Sequence, residues 1–193
     1  MNICIFGASS DRIDQAYFTA AYELGSLIGR EGHRLIFGGG QEGLMGACAR
    51  GALEAGGKAL GIAPRFFDEP GILMKDTCDF LFTDTMSERK ARMEDEADAF
   101  IALPGGIGTY EEFFEVLTLK QLGRHGKPMA LLNTLGYYDA LYSLLNMTAE
   151  SGFMNENVTR LFALCPDPAE ALKHISADSE APVGSPSLSS YSR

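Results

Sequence analysis

Metal-ligand spacing, paired cysteines and excess positive charge are all missing from this chain, and each absence removes a class of function. His33, His125 and His174 are dispersed and form no metal-ligating pattern. Cys4, Cys48, Cys78 and Cys165 include no C-x-x-C pair, so they read as small buried hydrophobes in a reducing compartment, the cytoplasm. With 16 Lys and Arg against 26 Asp and Glu, the formal net charge is -10, which argues against nucleic acid as a partner because its backbone needs a basic face. No apolar run approaches the roughly 20 residues of a membrane span. The opening residues read as a strand, without the basic n-region and small-residue cleavage site of a leader. No G-x-S-x-G elbow, H-E-x-x-H helix or G-x-x-x-x-G-K-S/T loop occurs, which sets aside serine hydrolases, zincins and ordinary P-loop NTPases.

What is present is a globular pattern. The 193 residues, 46% of them hydrophobic, fit one domain with a substantial core. Apolar strand-like runs alternate with longer helical patterns, which argues for a parallel sheet flanked by helices. The expected strands are Asn2–Gly7, Arg34–Phe37, Ala59–Ala63, Asp79–Thr83, Phe100–Leu103 and Pro128–Leu132. The expected helices are Gln15–Arg30, Leu44–Ala55, Ser87–Glu96, Glu111–Gly123 and Tyr137–Glu150, followed by a short last unit from Leu161–Leu164 to Ala169–Ile175. Arg65–Asp76 has weak periodicity around Pro70-Gly71 and reads as a mobile loop over the site. The domain is expected to occupy residues 1–175, with a disordered Ser/Pro-rich tail over 176–193.

Chemistry is concentrated where strands end in glycine. Gly7-Ala8-Ser9-Ser10, Gly38-Gly39-Gly40 and Gly105-Gly106-Ile107-Gly108 each follow a strand, and in open α/β sheets ligands sit outside the carboxyl ends of strands. The third turn opens a helix, whose first free N–H groups favour an anion. Thr109 adds a hydroxyl there and Glu112 a carboxylate one turn further on, which suggests chemistry on a phosphorylated sugar. The same Thr109-Tyr110-Glu111-Glu112 string is also a capping box, with Thr109 as N-cap and Glu112 bonding back to it, and the spacing leaves both readings open. Gly38-Gly39-Gly40-Gln41-Glu42-Gly43 satisfies G-x-G-x-x-G, yet it follows the second strand, and Ala63-Pro64 stands where a dinucleotide site needs an acid. A nucleotide or phosphate contact by this turn, Gly40 included, fits better than NAD. Thr85-Met86-Ser87-Glu88 is a second possible capping box, which places Arg89 and Lys90 in a first helical turn, where cations oppose the helix dipole. Either an anionic ligand or a solvated charge cluster with Glu94, Asp95 and Glu96 accounts for them.

Gly38-Gly39-Gly40-Gln41-Glu42-Gly43-Leu44-Met45-Gly46, Arg89-Lys90 and Pro104-Gly105-Gly106-Ile107-Gly108-Thr109-Tyr110-Glu111-Glu112 together resemble the signature of the Lonely Guy (LOG) proteins, cytokinin riboside 5'-monophosphate phosphoribohydrolases. Their P-G-G-x-G-T-x-x-E motif is present without departure, and the likeness runs from Cys4 to about Ile175. The resemblance implies a Rossmann-like, doubly wound α/β fold with helices on both faces and a homodimer. It implies hydrolysis of the N-glycosidic bond of adenine-type nucleoside 5'-monophosphates to free base and ribose 5-phosphate, with no cofactor and no metal. It puts Arg89 and Glu112 in the catalytic pair. Substrate contacts fall to Gly40, Lys90, Gly105, Gly106, Ile107, Gly108, Thr109, Tyr110, Glu111 and Thr118, with Arg89 contributing as well. The departure is Arg65–Asp76, longer than the plant-type loop and without a match for its substrate glutamate. Such sequences have also carried the label lysine decarboxylase, for which only the bare presence of Lys90 speaks. A broader purine and pyrimidine monophosphate nucleosidase and a non-catalytic nucleotide or cofactor carrier are the alternatives.

Overall fold

Continuous apolar runs become central strands here because a parallel sheet covered on both faces leaves no side of a strand to water. A computed structural model describes residues 1–178. The elements are β1 (Asn2–Phe6), α1 (Gln15–Arg30), β2 (Arg34–Phe37), α2 (Gly43–Glu54), β3 (Lys58–Pro64), β4 (Asp79–Thr83), α3 (Met86–Glu96), β5 (Ala99–Ala102), α4 (Ile107–Gln121), β6 (Met129–Leu132), α5 (Asp139–Glu150), β7 (Ala163–Cys165) and α6 (Pro168–Asp178), with three short 3-10 turns between them. All four residues of β5 and of β6 are buried, whereas the edge strands β4 and β7 are half-covered.

The seven strands run parallel in the order β4-β3-β2-β1-β5-β6-β7. Alternate residues of each strand point to opposite faces. Ile3, Ile5, Leu35 and Phe37 join residues of α1, α2 and α6 on one face. Cys4, Phe6, Ile36 and Ile62 join Met93 of α3, Phe113 and Leu117 of α4 and Leu145 of α5 on the other. The doubly wound, Rossmann-like expectation therefore holds. Beside β1 the topology reverses: β2 to β4 build outward on one side and β5 to β7 on the other. A crevice at the carboxyl ends of β1 and β5 follows from this switch.

The differences from expectation are local. The last unit contributes a three-residue strand, β7. Residues 176–178 belong to α6 rather than to a tail, and 179–193 lie outside the described residues. Among the described residues, Leu135 is the one non-glycine with positive φ, at 55°, in the turn before α5. It is 69% exposed, so its side chain gains little from burial while its backbone bears left-handed strain. Leu135→Asn is expected to raise stability by about 1 kcal/mol, because asparagine accepts this conformation more readily, read as a higher urea midpoint at unchanged slope.

Candidate active site

Each candidate side chain is placed by the way its helix begins. At α3, Thr85 is the N-cap and its hydroxyl accepts from the Glu88 amide at 3.1 Å. Glu88 in turn accepts from the Asp84 amide at 2.9 Å, one residue further back than an ideal capping box. The Arg89 amide bonds the Thr85 carbonyl at 3.1 Å, so Arg89 closes the first turn and Lys90 opens the second. The Arg89 side chain turns inward, and the residue as a whole is 6% exposed.

At α4 the capping-box reading fails. Gly106 is the N-cap, with no side chain capping it, and the first helical bond runs from the Tyr110 amide to the Gly106 carbonyl at 3.1 Å. Thr109 is therefore already inside the helix, and the amides of Ile107 to Thr109 lack intrahelical acceptors. Glu112 is left free of any capping role. Its Oε1 accepts from Arg89 Nη1 at 2.6 Å, and Arg89 Nε donates to the Ile62 carbonyl at 3.2 Å. Glu112 is 9% exposed. Burial pushes its carboxyl above the usual carboxylate range, and the Arg89 guanidinium pulls it back in part.

The pair lines a cleft of about 480 Å³ at the switch point, within the size range of small-molecule sites. Gly7, Ala8 and Ser9 after β1, Gly38 and Gly40 after β2, and Gly106 to Thr109 at α4 line it from the three glycine turns. Phe67, Ile72, Leu73 and Met86 form an apolar wall. The first three come from the segment expected to be a mobile loop, which is instead stitched to the glycine turn. Gln41 N donates to the Ile72 carbonyl at 3.0 Å, Met74 N to the Gly39 carbonyl at 2.9 Å, and Leu73 pairs with Gly40.

Of the residues expected at the site, Gly40, Arg89, Gly106, Ile107, Gly108, Thr109 and Glu112 come together in the cleft. Lys90 is ion-paired to Glu111 and, at 2.9 Å, to Glu115, beside the helix rather than in the cleft. Gly105 presents its carbonyl to the Tyr137 hydroxyl, and Tyr110 donates to that same hydroxyl. Thr118 is exposed on α4, about 9 Å along the axis from Glu112. The apolar wall carried no sequence signal, because its residues follow neither strand nor helix period. Gly7 to Ser9 did carry one, as a glycine turn ending the first strand.

Gly38 leaves room for the guanidinium: a Cβ there would collide with Arg89 Nη2. Gly38→Ala is expected to displace the guanidinium and lower kcat/KM by up to about 100-fold with the fold intact, checked by steady-state kinetics beside a thermal melt. Among the described residues no group of three or more His, Cys, Asp or Glu is placed to hold a metal ion, and no helix is long and apolar enough to cross a membrane.

Fold and cleft together define a Rossmann-like α/β protein whose switch-point site combines an uncapped helix N-terminus with a buried carboxylate–guanidinium pair. Residues 45–175 match the family model described as possible lysine decarboxylase. The chain is 37% identical over 171 residues to the cytokinin riboside 5'-monophosphate phosphoribohydrolase LOG2 of Arabidopsis thaliana, covering 89% of this chain and 80% of that protein. It is also 37% identical over 175 residues to LOG5 of the same plant, with coverage of 91% and 77%. The chain belongs to this LOG family. Among solved structures, the molybdenum cofactor carrier protein of Chlamydomonas reinhardtii aligns with a TM-score of 0.71 at 24% identity, over 92% of this chain and 96% of that one. The molybdenum cofactor binding protein of Rippkaea orientalis aligns at 0.67 and 21%, over 91% and 94%. At such identities the likeness shows the fold alone.

Proposed function

We propose that the protein hydrolyses the N-glycosidic bond of adenine-type nucleoside 5'-monophosphates, cytokinin riboside monophosphates and AMP included, to free base and ribose 5-phosphate. The observation that carries this reading is the placement of a buried carboxylate, Glu112, in the same cleft as the free amides of the α4 N-terminus. In this reading Gly106, Gly108 and Thr109 hold the 5'-phosphate, since helix N-termini favour anions. Gly40 and Ile107 line the remainder of the bound nucleotide. Lys90, Gly105, Tyr110, Glu111 and Thr118 belong to the shell around the site or contribute at its margin.

Cleaving the bond between the anomeric carbon and the base nitrogen builds oxocarbenium charge on the sugar. Ionised Glu112 stabilises that charge and takes a proton from the attacking water, whose oxygen forms the new bond to the anomeric carbon. The electron pair of the broken bond leaves with the base, which is protonated on release. Arg89 is the cationic partner of the pair. It holds Glu112 through Nη1 and turns a second amino group, Nη2, toward Gly38 at the cleft wall, which suits contact with phosphate or departing base. No cofactor enters this scheme. A homodimer in the cytoplasm, with neither nucleic acid nor membrane as partner, completes the proposal.

The label lysine decarboxylase gains no support from Lys90, which is ion-paired outside the cleft. The carrier alternative has the shared fold behind it, but a carrier has no need of Arg89 and Glu112 as a buried pair. The deciding experiment incubates the protein with AMP, isopentenyladenosine monophosphate, GMP and CMP and separates free bases by chromatography. Adenine and isopentenyladenine are expected from the first two. Equal release from all four substrates establishes the broader nucleosidase, and binding without release establishes the carrier.

A further inference from the structure

Two consecutive tyrosines outside the cleft grip the glycine turn from behind. The Tyr137 hydroxyl donates to the Gly105 carbonyl at 2.7 Å, and the Tyr138 hydroxyl to the Leu103 carbonyl at 2.6 Å. A tight turn delivers both. The Asn133 side chain accepts from the Tyr138 amide at 2.7 Å and donates to Asp139 Oδ1 at 2.7 Å, and left-handed Leu135 and Gly136 complete the reversal. The Tyr137 ring packs edge-on against Tyr138 at 5.0 Å and Tyr17 at 5.9 Å. Its hydroxyl also accepts from Tyr110 at 3.2 Å. Burial first, then the Tyr110 hydroxyl, pushes Tyr137 up to about 12, so it remains a donor at any working pH.

The two contacts are chemically unequal. In a planar trans peptide the carbonyl and the following N–H point in opposite directions. The Gly105 carbonyl shares its peptide with the Gly106 N–H, at the residue that opens α4 and lines the cleft. That peptide lies between two glycines, whose permissive backbones make a flip cheap. The Leu103 carbonyl shares its peptide with Pro104, which has no N–H to aim.

We infer that Tyr137 is a positioning residue for the phosphate cradle: by holding the Gly105 carbonyl it keeps the Gly106 N–H turned toward the anion, while Tyr138 only secures the fold. The inference rests on the phosphate-binding reading of the cleft. Without the Tyr137 hydroxyl the peptide is free to turn, a hydrogen bond to phosphate is lost, and sugar phosphates bind more weakly.

The test measures binding of ribose 5-phosphate by calorimetry, together with thermal melting, for wild type, Tyr137→Phe and Tyr138→Phe. Both replacements keep the rings. Tyr137→Phe is expected to weaken binding by about tenfold. Tyr138→Phe is expected to lower the melting temperature and leave affinity within about twofold, because the bond it removes aims no amide. Equal affinity in wild type and Tyr137→Phe overturns the latch while leaving the phosphate site standing, and so does an equal loss in both variants. Absence of binding by wild type overturns the phosphate site and the latch with it.

Discussion

Glu112→Gln is expected to abolish base release from AMP in a protein that still folds. A positioned general base contributes roughly 10²–10⁴-fold, and this side chain is the buried carboxylate lining the cleft. Glutamine keeps an oxygen that can accept from Arg89 Nη1, so the geometry survives while charge and basicity go. The stability cost is expected to stay below about 3 kcal/mol, less than deletion of a whole buried partner. Its pH dependence carries a sign. Burial raises the folded pKa of Glu112 above its unfolded value. This contribution to stability is therefore fully present below the unfolded pKa, near 4.3, and is lost as pH rises through the folded one. Denaturation midpoints measured against pH should show that loss in wild type and lack it in Glu112→Gln. The acid limb of kcat/KM in wild type should lie above the ordinary carboxylate range for the same reason.

Arg89→Ala is expected to lose both activity and stability. Removing the cation leaves Glu112 buried without its strongest partner and leaves the Ile62 carbonyl without the Arg89 donor. Breaking a buried pair from one side costs about 3–5 kcal/mol. The Glu112 carboxyl then moves further upward, since the largest opposing influence on it is gone, and the destabilisation deepens as pH rises. The double variant Arg89→Ala/Glu112→Gln is expected to recover much of the stability and none of the turnover. Urea unfolding across about pH 5–8 beside a base-release assay separates the two effects. Full activity in Arg89→Ala would return this side chain to a structural role.

How far the sequence reaches depends on what each element is made of. β1, β5 and β6 were legible because strands buried on both faces leave unbroken apolar runs. The three glycine turns were legible because strand-ending glycine clusters mark close backbone approach. The start of α4 was not, because Thr-x-x-Glu satisfies a capping box and a catalytic helix equally well. Gly106 removes the capping box by starting the helix before Thr109. The stitching of Gly39 and Gln41 to Ile72 and Met74 was invisible because main-chain bonds between loops leave no mark in side-chain pattern. The grip of Tyr137 and Tyr138 was equally silent, since their acceptors are carbonyls more than 30 residues away. Arg89 and Glu112 were singled out as residues, but only the fold brings them to 2.6 Å.

The most direct test is a crystal structure of Glu112→Gln with AMP bound. The site described here predicts the 5'-phosphate on the amides at the start of α4. It also predicts the side chain at position 112 within about 3.5 Å of the anomeric carbon or of a water poised on it. A nucleotide bound with its phosphate away from those amides, or with position 112 turned from the sugar, would contradict it.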